Sequence, residues 1–270
     1  MRETWYDHRV MRMRLPGLIL VAALALAGCD DPLTPPEVDR AAIAAATQEI
    51  AATTPPRPAA RSREEDLAML RRVAERTQRA AQPFCEHELG RFCSFRIELG
   101  DAHQANAFAS GRDRITFTMG LLRLVSNEDE LAAIMAHEVA HHILGHIGAT
   151  GWRIQLGAIA GSLLGGVVAD LLGVDFGFRR LGAEAGARAG DLTFSKAQER
   201  EADYLGAWIA SGAGFDLERA ATIWAKFTRL SGSTVTSILD SHPAGPERLA
   251  LWRRAAEEIK RDPQAGPRRG

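Results

Sequence analysis

The sequence predicts an α+β fold, predominantly helical, with one small sheet. Three observations carry this. Apolar residues recur at helical spacing through residues 64–81, 127–143 and 195–210. The stretch Asp113 to Thr118 alternates instead, with Ile115 and Phe117 on one face and Arg114, Thr116 and Thr118 on the other. Once an N-terminal export signal is set aside, roughly 240 residues remain, enough for a single full core and one catalytic-size domain.

The chain begins with Arg9, Arg12 and Arg14 before an apolar run from Leu15 to Ala27 that ends Leu26-Ala27-Gly28-Cys29. A basic start, a short apolar centre and small residues before a cleavage point make residues 1–28 a secretory signal. The run is too short to span a bilayer comfortably. Leu-Ala-Gly-Cys resembles a bacterial lipobox, in which Cys29 carries lipid and becomes the mature N-terminus; initiation at Met11 or Met13 would give the signal a more usual start. Residues 29–63 hold Pro32, Pro35, Pro36, Pro55, Pro56 and Pro58 around a short Ala-rich piece, and read as a tether with at most one marginal helix. Glu64 to Ala81 reads as a charged amphipathic helix with Leu67, Leu70 and Val73 inward. Cys85 and Cys93, eight positions apart, can close a small disulfide loop in an exported protein. Phe95 to Leu99 reads as a strand. Asp113 to Thr118, carrying Ile115, Thr116 and Phe117, reads as a half-buried edge strand able to pair with an extended substrate.

The next helix starts at a Ser126 or Asn127 cap, has Glu128, Asp129 and Glu130 in its first turn, and turns Leu131, Ile134 and Met135 to the core. It runs into HEVAHHILGH, residues 137–146, which contains His-Glu-x-x-His. Helical residues four apart share a face, so His137 and His141 can point at one metal ion. Glu138 is offset around the helix, within reach of a water activated there. Two imidazoles on a buried helix need partners, and a metal supplies one.

The third ligand is the open question. One large class places Gly seven and His ten residues after the first His. Those positions are Leu144 and Ile147 here, while Gly145 and His146 are each one residue out of register. A slip of one residue turns a helical side chain by about 100°, which excludes that class. Ile154 to Val174 is apolar and Gly-rich, with Asp170 inside it, and reads as a packed or surface-docking segment rather than a span. Arg179 to Gly190 reads as a mobile loop. The helix of residues 195–210, with Ala202, Leu205, Trp208 and Ile209 inward, places Glu199 and Asp203 on one face and Glu201 on the opposite side. Glu199 is either a third metal ligand with Asp203 orienting a ligand imidazole, or a solvated charge beside Arg200. Asp262 to Gly270 has no apolar pattern and reads as a disordered tail.

Together HEVAHHILGH, QEREADYLG and SHPAGPERL resemble the HtpX-like and CAAX-prenyl-endopeptidase-like gluzincins, peptidase family forty-eight, and within it the periplasmic BepA-like lipoprotein branch. The similarity runs from about Asn106 to Leu249. It implies a zincin-like catalytic domain over 64–261 with a substrate edge strand beside the cleft. By this resemblance His137, His141 and Glu199 bind one zinc ion per chain, Glu138 is the base and Asp203 supports a ligand. Asn106, Ala107 and Phe108 match the family's segment before its substrate-binding edge strand, although Ala109-Ser110-Gly111-Arg112 departs from the family's Pro-Gly-Gly turn. His242 and Arg248 match its downstream His-Pro…Arg element, which makes both candidates for oxyanion donation. Pro243 and Pro246 would hold His242 on a fixed but exposed arm, where it could also occupy the open metal position as a latch.

The expectation is a zinc endopeptidase, lipid-anchored in the bacterial cell envelope and facing the periplasm. Its substrates would be unfolded or misassembled envelope proteins, with self-association or envelope-assembly partners left open. The competing expectation is a chaperone-like zinc-binding protein with latent proteolysis, against which the retained Glu138 argues. With 33 Lys and Arg against 34 Asp and Glu, the net charge of −1 provides no electrostatic basis for nucleic-acid binding.

Overall fold

Burial decides the centre of the molecule. In the helix α4 (Glu128–Ile143) every residue from Asp129 to Ile143 except His142 is buried, so this helix is enclosed on nearly all sides. Its start is fixed by Asn127, whose side-chain oxygen accepts from the Glu130 N–H at 3.0 Å. The computed structural model describes residues 32–54, 57, 59–111, 113–172, 180–181, 184, 194–230, 242 and 244–270, and Leu33–Gly270 form one compact unit. The signal with Cys29, the residues Pro55, Pro56, Pro58, Arg112, Ser241 and Pro243, and most of the expected loop at 179–190 lie outside the described residues.

Around α4 pack α2 (Arg63–Leu89), α6 (Lys196–Gly212) and α7 (Leu217–Leu230). The α6 contact is especially close. A Cβ at Gly206 would come 3.1 Å from the backbone nitrogen of His137, so glycine there lets the α6 backbone lie against the motif turn. Helix α2 starts at a Ser62–Glu65 capping box and runs past the expected end at Ala81, through Pro83. Its last turns are held by buried Ala81 and Cys85, by the Cys85–Cys93 disulfide, and by Gln82, which exchanges hydrogen bonds with the Cys93 backbone.

The sheet holds β1 (Arg96–Gly100), β2 (Ala107–Ser110) and β3 (Arg114–Thr118) in the order β1-β3-β2, with β3 parallel to β1 and antiparallel to β2. This corrects the strand assignment. Ile115, Thr116 and Phe117 lie on the central strand, hydrogen-bonded on both sides, and Ile115 and Phe117 are fully buried. Alternation reports which face is buried but not how many neighbours a strand has. The edge beside α4 is β2, which begins at buried Ala107. Asn106 sits just before it; its carbonyl accepts from the Thr118 N–H and its own N–H donates to the Thr118 hydroxyl, which also caps the short helix α3 (Met119–Leu124).

Two terminal expectations also change. The stretch read as a tether carries α1 (Arg40–Ala52), which packs Ala46 and Ile50 into the core and contacts α7 and α8 (Pro246–Arg261). Arg254 pairs with Asp39 at 3.1 Å and Arg253 with Glu49. The stretch read as a disordered tail is pinned as well: Thr34 N–H donates to the Arg268 carbonyl at 2.9 Å, and the Arg268 N–H donates to Tyr204 Oη at 2.8 Å. Ion pairs and backbone pairing, which leave no apolar period in the sequence, add to the packing of Ala46 and Ile50 in holding these segments. Residues 146–172 form α5 (His146–Leu172), on which Leu156, Ile159, Leu163, Leu164 and Val167 are exposed. Among the described residues no helix is long and apolar enough to cross a membrane.

Candidate metal centre

The i, i+4 spacing on α4 sets His137 and His141 side by side, with their Nε2 atoms 3.1 Å apart. From α6, Glu199 reaches them with Oε1 3.4 Å from His141 Nε2 and Oε2 3.6 Å from His137 Nε2. From the approach to α8, His242 brings Nδ1 to 2.9 Å from Glu199 Oε1 and 3.1 Å from His137 Nε2. The donor atoms of these four buried residues lie within 4.8 Å of one another. Tetrahedral ligands bound at 2.0–2.1 Å stand about 3.3 Å apart, and the observed separations straddle that value. The donor set therefore fits a small divalent metal.

Burial pushes His141 well below the ordinary histidine pKa, which keeps it in the neutral form that ligates. Burial works against the charge on Glu199, but the Arg248 guanidinium and the imidazoles of His242 and His137 outweigh it and hold the carboxyl well below its usual range. For His242, burial lowers the pKa, yet Glu138 and Glu199 together raise it. Glu138 is fully buried, and among the described residues neither of its oxygens has a hydrogen-bond partner. A buried carboxylate that accepts no hydrogen bond is costly unless something at the site uses it.

Asp203, one turn beyond Glu199, accepts from His137 Nδ1 at 2.9 Å, so that Nε2 is the nitrogen turned to the donor cluster. Arg248 grips Asp203 through Nε at 2.8 Å and Nη2 at 2.7 Å, and Glu199 Oε2 through Nη1 at 3.0 Å. Its face lies 4.3 Å from the Trp224 ring centre. This corrects the reading of Arg248 as an oxyanion donor: its fork is already committed to two carboxylates. His242 is corrected too. It is not on an exposed arm but buried among the donors, at 2% exposure, because its ring satisfies Glu199 there.

Two groups at the site carried no sequence signal. Phe194 stacks on His141 with ring centres 3.8 Å apart, and Trp224 meets His137 edge-on at 5.6 Å. Glu201, placed by helical phase on the far side, turns instead to His146, with its Oε2 3.1 Å from His146 Nε2.

A buried His-Glu-x-x-His helix joined by a Glu from a second helix defines a metallopeptidase. The family profile described as Peptidase family M48 matches residues 69–256, and the chain belongs to that family. It is 30% identical over 176 residues to a beta-barrel assembly-enhancing protease of Yersinia pestis, covering 63% of this chain and 36% of that protein. It is 31% identical over 166 residues to mitochondrial metalloendopeptidase OMA1 of Arabidopsis thaliana, covering 60% and 32%. Metalloprotease LoiP of Escherichia coli (strain K12) is 30% identical over 151 residues, covering 54% and 57%. The matched region thus spans about a third of the length of the first two relatives.

Proposed function

We propose that this chain is an exported zinc endopeptidase of the bacterial cell envelope that cleaves unfolded or misassembled polypeptides and is held latent by His242. The observation that carries it is the convergence of His137, His141, Glu199 and His242 beside the buried carboxylate of Glu138, which among the described residues accepts no hydrogen bond. His137, His141 and Glu199 are the permanent ligands. Bound zinc supplies a Lewis acid that polarises a scissile carbonyl and brings the pKa of water towards about 7. Glu138 takes the proton of the attacking water and returns it to the leaving amine. Arg248 and Asp203 position Glu199 and His137, and an extended substrate adds to the edge strand β2.

Four protein donors leave no position for substrate, whereas hydrolytic sites keep one open. His242 must therefore withdraw before turnover, which makes it a latch. The alternative role, donation to the oxyanion, is less favoured because its Nδ1 faces Glu199 and His137 rather than open space. Casein hydrolysis decides among these readings. The expected result is cleavage by the zinc-loaded protein, loss of it with a chelator, and faster cleavage by His242→Ala. A fall of about 10²–10³ in that variant would favour the oxyanion role, and no cleavage with zinc bound would favour the chaperone-like reading.

Export rests on the basic start, the apolar run and the Leu-Ala-Gly-Cys lipobox, together with a disulfide of the kind that persists in oxidising compartments. Mass spectrometry of the membrane-associated protein should find a chain beginning at a lipid-modified Cys29; an unmodified Cys29 in membrane-free protein would remove the anchor.

A further inference from the structure

The ring of His141 enters the donor cluster through Nε2, and its other nitrogen points away. That Nδ1 lies 2.9 Å from Nδ1 of His146, and Nε2 of His146 lies 3.1 Å from Glu201 Oε2. His146 is 4% exposed and starts α5, immediately after Gly145, whose φ of +68° ends α4. In an unbroken helix a residue five positions on would stand about 140° away from His141. The left-handed turn at Gly145 is what lets His146 fold back onto it.

Two ring nitrogens 2.9 Å apart share one proton, so the chain of contacts allows only one assignment once His141 Nε2 gives its lone pair to a metal. The proton of His141 is then on Nδ1, which donates. His146 Nδ1 must accept, so the proton of a neutral His146 sits on Nε2, and Glu201 receives it. We propose that His146 and Glu201 are positioning residues that lock the tautomer and ring orientation of His141, an inference that rests on the zinc reading above. The two ligand imidazoles are thereby backed differently: His137 directly by Asp203, and His141 through an intervening imidazole by Glu201. Outer partners of this kind raise ligand basicity and typically account for 10–100-fold in metal affinity. A residue one step out of register for a third ligand is thus placed to hold a ligand instead.

The experiment is ¹⁵N-histidine NMR of the zinc-loaded full chain, with zinc affinity measured by chelator competition. The expected spectrum shows His141 protonated at Nδ1 and His146 at Nε2. The dissociation constant for zinc should rise about tenfold in Glu201→Gln, which keeps the shape but loses the charge, and about 10–100-fold in His146→Leu. His146→Asn, whose amide oxygen replaces the Nδ1 acceptor, should recover part of the loss. Circular dichroism controls for folding, and if His146→Leu does not fold, the wild-type spectrum and Glu201→Gln decide. His146 protonated at Nδ1, or folded variants with unchanged zinc affinity, would overturn the relay. A wild-type chain that binds no zinc would instead remove the metal reading and this inference with it.

Discussion

Glu138→Gln should lower kcat/KM for a peptide substrate by about 10²–10⁴-fold while zinc stoichiometry stays at the wild-type value. The amide is nearly isosteric with the carboxylate but cannot take a proton from water. Glu138 lies on α4 between the two ligand histidines, fully buried, with His242 Nε2 3.5 Å from its Oε1. The ligand atoms belong to other residues, so the metal should remain. The amide keeps the shape of the carboxylate, so the fold should stay intact even though the charge facing His242 Nε2 at 3.5 Å is removed. A loss of activity without loss of stability or metal is the signature of a catalytic base. Wild-type cleavage rates in this variant would exclude Glu138 from the reaction.

Glu199→Ala should lose zinc on dialysis, whereas Glu201→Ala should keep it at reduced affinity. Both carboxylates are on α6, two residues apart, and they differ in what they touch. Glu199 presents its oxygens to His137, His141 and His242 and is steadied by Arg248 at 3.0 Å. Glu201 reaches the cluster only through His146. Removing Glu199 deletes a donor and leaves part of a buried guanidinium unpaired, so the loss in affinity should exceed the 10–100-fold expected for an outer partner. Metal analysis of the two dialysed variants is the check. Zinc retained by Glu199→Ala and lost by Glu201→Ala would reverse the ligand assignment.

The helices were legible because their signals are local. Asn127 and the acidic residues after it mark the start of α4, and the four-residue spacing of His137 and His141 puts two imidazoles on one face whatever the rest of the chain does. The same reasoning pairs Glu199 with Asp203, and both do face the cluster. It misplaces Glu201, because phase around a helix gives a direction but not what stands there. On an enclosed helix such as α6, a side chain turned from one neighbour can meet another, here His146 at the start of α5.

By itself, then, the sequence determined the mainly helical class, the motif helix with His137, Glu138 and His141 in place on it, and the second helix that carries Glu199. The tertiary structure alone decided that β3 is interior, that α1 and the C-terminal residues close on the domain, that Arg248 clamps carboxylates, and that His242 is buried among the donors. The division follows range. Dihedral preference and side-chain period act over a few residues and are written in neighbouring letters. Strand order and the meeting of His137 with His242, 105 positions apart, depend on how whole elements share one core, which no short window of sequence contains.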